Sequence, residues 1–363
     1  MRLSGLSFLL ALSAPWSACA QSSATTVAPS PNPSNVSELA AVTVSGVQPG
    51  PGLWKVSRGS HVMWVLGTLS PLPRDMQWQS HDVADVISQS QQVLLSPSIK
   101  VKADVGFFGK LFLLPLAYSA RKNSDGKTLD QVLPSTQYAR WLVLKQKYIG
   151  RDHGIERWRP IFAAQELYKK ALKANGLTRS GQVEDTVKSL AKQDGVEQTP
   201  VHYQIKIEDP RNALKTFKKS QMDEASCFGS TLDSIEQDMP AMRARANAWS
   251  GGDTQSLREL PDSQRHNTCV SMVAEADFAH KLGFDDVPQQ LEKAWLDAAK
   301  RALLRNTQTL ALLPIDELLS PTGYLNHLAE AGYKVESPEQ QDAEPVPGSS
   351  TGMPATAASI SLP

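Results

Sequence analysis

The sequence predicts an α/β (α+β) fold: a central sheet built from the N- and C-terminal lobes of the chain, with a large helical insertion between them. Three observations lead there. β-rich runs stand at both ends, over 53–69 and over 309–335. Between them apolar residues recur at steps of three and four, the period of helices with one buried face. Both ends also share one plan of strand, proline-containing turn, helix and strand, and strands framing helices are the mark of a layered α/β or α+β domain.

The elements follow in order. Leu53-Trp54-Lys55-Val56 and the run from Val62 to Gly67 read as two strands joined by a hairpin around Arg58-Gly59-Ser60. A helix is expected over 82–91 and a strand over 92–95. A long mixed region comes next, with helices over 138–145 and 161–175, the latter stopped by Gly176. Alternation over 201–208 marks a strand. Leu232, Ile235, Met239, Met242, Ala246 and Trp249 form one apolar helical stripe that ends at Gly251-Gly252-Asp253. Leu291, Trp295, Ala298 and Leu303 mark another helix. A strand at 309–313, a helix at 324–330, the turn Ala331-Gly332 and a strand at 333–335 close the core.

The ends of the chain read differently. Met1-Arg2, the apolar run through Leu12 and Ala18-Cys19-Ala20 have the layout of a secretory signal peptide cut before Gln21. Lipidation at Cys19 is the alternative; Trp16 stands where that signal usually has leucine. Residues 21–52 and 337–363 are rich in Ser, Thr, Pro and Ala, and are expected to be a disordered tether and tail around a core at 53–336. A periplasmic or secreted location follows. After cleavage Cys227 and Cys269 remain, and an even pair in an oxidising compartment invites a disulfide. Closing that loop stabilises by at most about 4 kcal/mol in the chain-entropy account.

Composition narrows the function. Lys+Arg and Asp+Glu each number 37, so the formal charge is zero and bulk attraction to nucleic acid or to an acidic membrane is not expected. Nor is a membrane span, since no later segment is long and apolar enough. No phosphate-binding loop, dinucleotide fingerprint or G-x-S-x-G elbow occurs. His61, His81, His153, His202, His266, His280 and His327 show no metal-ligand spacing.

The strand pair ending in Gly67-Thr68-Leu69-Ser70-Pro71-Leu72-Pro73 resembles the opening of the TraB/GumN family, to which the Tiki metalloproteases are related. The order of further matches supports the resemblance: Arg157-Trp158-Arg159-Pro160, then Lys206-Ile207-Glu208-Asp209, then Ala248-Trp249 with Gly252-Asp253, then Gly323-Tyr324-Leu325 with Ala331-Gly332-Tyr333-Lys334-Val335. The family carries two G-x-x-H motifs, one in each lobe. Here Ser70 stands at the first histidine; Pro314 and Glu317 stand at the glycine and histidine of the second.

In Tiki-type relatives such histidines and acidic residues are taken to hold a divalent metal that activates water, chemistry that needs about three protein ligands. The resemblance therefore implies a diverged hydrolase domain, with no resident cofactor, acting on an unknown peptide, protein or small-molecule ligand by binding. The alternative is an active hydrolase using Ser70, Glu208 and Glu317, with a weakly held divalent metal as its variant. Arg157 and Arg159, in a basic stretch, are candidate anion-binding residues.

Overall fold

In the computed structural model, residues 50–343 are described, apart from 104, 221, 261–268, 270–275 and 285. The expected signal peptide, its cleavage point before Gln21, Cys19 and the tether to residue 49 lie outside them, as do His266 and the tail beyond 343.

The chain opens on β1 (Leu53–Arg58) and β2 (His61–Thr68), paired antiparallel from Leu53↔Leu66 to Arg58↔His61. The turn has two residues, and Gly59 at φ +61° takes the left-handed position that such a hairpin needs. After β3 (Leu72–Pro73) come α1 (His81–Ser88), β4 (Gln92–Leu94), β5 (Ser98–Ala103) and α2 (Phe107–Ala120). The insertion continues with α3 (Leu129–Val132), α4 (Ser135–Tyr148), α5 (Pro160–Ala174), β6 (Leu177–Thr178) and α6 (Gln182–Gln193). β7 (Glu197–Thr199) and β8 (His202–Ile207) lead to α7 (Pro210–Lys219), α8 (Glu224–Asp233), α9 (Met239–Ser250) and α10 (Thr254–Glu259). Then come α11 (Asp277–His280), α12 (Val287–Arg305), β9 (Gln308–Pro314), α13 (Ile315–Leu319), α14 (Tyr324–Glu330), β10 (Lys334–Glu336) and α15 (Pro338–Ala343).

Six strands form one mixed sheet in the order β10-β1-β2-β9-β4-β7. β10 and β1 pair antiparallel; β2, β9, β4 and β7 run parallel. The two ends of the chain thus meet in one sheet, as the sequence predicts. β9 is central, and five consecutive residues of it are buried, the pattern of a strand covered on both faces. Trp295 of α12 and Trp249 of α9 are fully buried in this core. Their indole N–H groups donate to the Leu312 and Gly67 carbonyls at 3.2 and 2.8 Å, which satisfies polar atoms that burial would otherwise penalise.

A second, largely helical core holds Trp141, Leu167, Phe228, Leu232 and Met239. It is the expected insertion. Three differences from the sequence reading stand out. The stripe from Leu232 to Trp249 is one face of α8 and α9, joined by a π-helical turn at Ser234–Asp238. β5 and α2 occupy part of the stretch read only as mixed, because α2 is apolar nearly all round and gives no 3.6-residue period. And α15 stands where the tail was expected to start: Gln341 Nε2 donates to the Leu53 carbonyl at 2.9 Å, which fastens it to β1.

Candidate functional site

Parallel pairing of β2 with β9 decides the geometry at the motif positions. Gly67 lies opposite Leu313 and Thr68 opposite Pro314. The segments leaving both strands therefore emerge from one edge of the sheet, at carboxyl strand ends, where open α/β sheets place ligands. Ser70 and Glu317 are brought to this edge from opposite ends of the chain. Ser70 is exposed and joined to Pro71 by a cis peptide bond. Glu317 is half-buried on α13.

Two glycines leave room for close approaches here, one by side chains and one by backbone. A Cβ on Gly67 would sit 2.4 Å from Ile315 Cδ1, so α13 packs directly onto the end of β2. A Cβ on Gly323 would sit 2.0 Å from the Glu317 carbonyl oxygen, so only glycine lets α14 start where it does.

The electrostatics of the edge are carboxylate-dominated. Burial, then Glu292 and Asp316, raise the Glu317 carboxyl above its ordinary pKa. Burial, Glu317 and Glu292 likewise hold the Tyr324 phenol neutral far into alkaline pH. Glu292, from α12, is hydrogen-bonded to His327 Nδ1 of α14. Asp316 is tied to Arg245, 2.8 Å away, whose guanidinium also donates to the Leu257 and Leu260 carbonyls. Nothing in the sequence marks Glu292, Tyr324 and His327 as site residues; only α12 and α14 folding over the strand end brings them together beside Glu317.

This donor set does not fit a transition metal. Such a centre needs about three nitrogen, sulfur or carboxylate ligands on one ion. Among the described residues no three His, Cys, Asp or Glu side chains are placed to hold one, and the one imidazole of the group, His327, is engaged by Glu292. What the edge offers is a half-buried carboxyl able to hold or release a proton.

Glu208 lies elsewhere. It follows β8, in the separate two-stranded β5–β8 sheet, and lines a groove of about 430 Å³ with Val105, Gly109, Phe112 and Arg211, a groove that includes neither Ser70 nor Glu317. The two candidate arginines also part company. Arg159 is buried and committed inside the protein: it is ion-paired with Glu224, donates to the Phe217 carbonyl at 2.8 Å, and lies 4.6 Å from the Phe217 ring. Arg157 is exposed on a short 3-10 turn.

The concentrated positive charge is in a cleft of about 720 Å³ beside α5. Arg74, Arg121, Lys169, Lys170, Lys173 and Arg179 line it, against one carboxylate, Glu166. Arg74 is four residues after Ser70, on the chain leaving β3. Arg121 stacks 4.6 Å over the Trp158 ring, which shares the wall. These six cations come from four separate segments, so no charge run reveals them.

Cys227 of α8 and Cys269 lie at disulfide distance, 2.09 Å between sulfurs, both buried. No helix among the described residues is long and apolar enough to cross a membrane. Comparison with curated proteins and with solved structures finds no significant match. The TraB/PrgY/gumN family matches residues 52–337. That span runs from the first strand of the sheet to the last, and takes in both motif positions and the insertion between them, so the chain belongs to the TraB/PrgY/gumN family.

Proposed function

We propose that this protein is an exported member of the family in which the hydrolase centre has diverged, and that it works by binding a small ligand bearing two or more phosphate or carboxylate groups in the basic cleft beside α5. The cleft itself is the observation that carries the reading. Six cations face one carboxylate in a concavity of small-ligand size. Guanidinium groups suit planar, bidentate contact with phosphate or carboxylate, and lysines add compact positive charge. Export is supported by the signal-like N-terminus and by a cysteine pair suited to an oxidising compartment.

Titration calorimetry with inorganic tripolyphosphate tests it. The reading expects saturable one-to-one binding that weakens steeply with salt, and a loss of about tenfold or more when Lys169 and Lys173 are both changed to Glu, each removed charge contact counting for about 1 kcal/mol or more. Binding that is absent at low salt, or unchanged in the double variant, contradicts it.

A second reading has one observation in its favour. Glu317, with its raised carboxyl pKa, stands at the strand edge from which Ser70 also emerges, and a carboxylate so placed is a candidate general base for a serine hydroxyl. It predicts esterase or peptidase activity lost in both Ser70→Ala and Glu317→Gln. Activity indifferent to both substitutions removes it. Glu208 has no part in this version, because it lines a different groove.

A further inference from the structure

The apolar surface of this protein is not scattered. Among the described residues the large apolar side chains left exposed are Leu142, Val143 and Leu304, and six that all belong to one excursion, β5 and α2: Ile99, Val101, Leu111, Phe112, Leu114 and Tyr118. Phe112 is 80 % exposed. The fourteen residues of α2 contain a single charge, Lys110. One side of α2 packs on α7; Leu111, Phe112, Leu114 and Tyr118 are left to water. Four such side chains exposed on one helix mark an interaction surface.

Its rim is positive. Lys100 and Lys102 of β5 are exposed on the face of that strand opposite to Ile99 and Val101, and Lys102 is in register with Lys206 of β8. Lys122, just past α2, sits 4.7 Å from the Tyr118 ring. α7 supplies exposed Lys215, Lys218 and Lys219, and Lys218 Nζ reaches Ser119 Oγ of α2 at 3.5 Å. Among the described residues, Glu208 and Asp209 line the groove at one end beside Phe112, and Asp209 is occupied in accepting from the Asn212 backbone N–H.

We propose that β5 and α2 form a docking surface for a membrane containing anionic phospholipid. α2 lies in the plane of the headgroups, its exposed Leu, Phe and Tyr side chains enter the acyl boundary, and the surrounding lysines meet lipid phosphates. Length favours lying over crossing. Fourteen residues of helix extend about 21 Å, short of the ~30 Å hydrocarbon core. Apolar anchors ringed by lysines are the composition of interfacial helices, and lysine stems can lie along apolar surface while their ammonium groups reach the headgroups. A second copy of this chain is a poor occupant by the same charge argument: apposed faces would bring two lysine rims together, and like-charge juxtaposition across an interface is costly.

Co-sedimentation of the full chain with phosphatidylcholine vesicles, with and without phosphatidylglycerol, tests the proposal. The chain is expected to pellet with the vesicles containing phosphatidylglycerol. The F112D/L114D variant should lose that binding by about tenfold or more, as expected when two apolar anchors become charged. Because both side chains are exposed, its circular dichroism, its thermal midpoint and its tripolyphosphate binding should match the parent, so the docking surface and the basic cleft are tested separately. The K218E/K219E variant should bind more weakly and lose its remaining binding in salt. The parent chain staying in the supernatant overturns the proposal, and so does equal pelleting of F112D/L114D or equal binding to vesicles without phosphatidylglycerol. A dimer at sedimentation equilibrium that F112D/L114D dissociates assigns the face to a second copy and also overturns it.

Discussion

Glu317 is the residue whose environment departs furthest from what its place in the sequence suggests. The resemblance marks it as a motif position; only the folded chain adds Glu292 and Tyr324 to its neighbour in sequence, Asp316. Its raised carboxyl pKa has a thermodynamic sign. The folded state holds the proton to a higher pH than the unfolded chain does, so stability is fully present below the ordinary glutamate pKa and is lost as pH rises through the raised one. Glu317→Gln removes that loss. The variant should therefore melt higher than the parent at pH 7, with the difference vanishing near pH 4; equal melting differences at both pH values would contradict the assignment. Arg159 teaches the opposite lesson. In sequence it is one more cation of a basic stretch, but in the fold it is a buried structural arginine held by Glu224. Glu224→Ala leaves its charge buried and unpaired and should cost about 3–5 kcal/mol in urea unfolding. Replacing the pair by Met and Leu should recover most of that. If Glu224→Ala is neutral, the pair is not what orders this junction.

At the scale of elements, the strand ends work because helices crowd them. The register Thr68↔Pro314 sets the two motif turns side by side, and Gly67 and Gly323 allow α13 and α14 to close over them. Gly323→Ala places a methyl group against a backbone carbonyl, which no side-chain rotamer can relieve, and should destabilise by about 1–3 kcal/mol through a forced backbone shift. Calorimetric melting checks it; a variant that melts with the parent would mean that α14 can shift freely. The Cys227–Cys269 bridge ties α8 to residues 42 positions later in the chain. Removing it with two serines should cost up to about 4 kcal/mol, read as a lower unfolding midpoint under oxidising conditions and no change in the reduced protein. The strands and long amphipathic helices of this chain are legible in its sequence because their periods are local. β5, α2 and α6 are not singled out there. α2 lacks a polar face to give it a period, and β5 takes its form by pairing with β8, about a hundred residues away.

For the whole molecule, the fold class is legible and the two proposed binding surfaces are not. Two β-rich ends sharing one plan are enough to predict a sheet shared between lobes. A formal charge of zero conceals how the charge is distributed: Arg74, Arg121, α5 and Arg179 gather into one cleft, and another set of lysines rings the apolar α2. Neither surface is a run of like charge in the sequence, and the two arginines singled out there, Arg157 and Arg159, do not line the basic cleft: one is exposed on a short turn and the other is buried against Glu224. The central claim is that this family member has exchanged metal-based hydrolysis for binding. Elemental analysis of protein purified without chelator, with peptidase assays before and after a chelator, tests it most directly. The account predicts no stoichiometric zinc, manganese or cobalt and no chelator-sensitive activity, because the strand edge offers carboxylates and a serine where about three good ligands are needed. About one equivalent of tightly held transition metal per chain, with hydrolysis that the chelator abolishes, would contradict it.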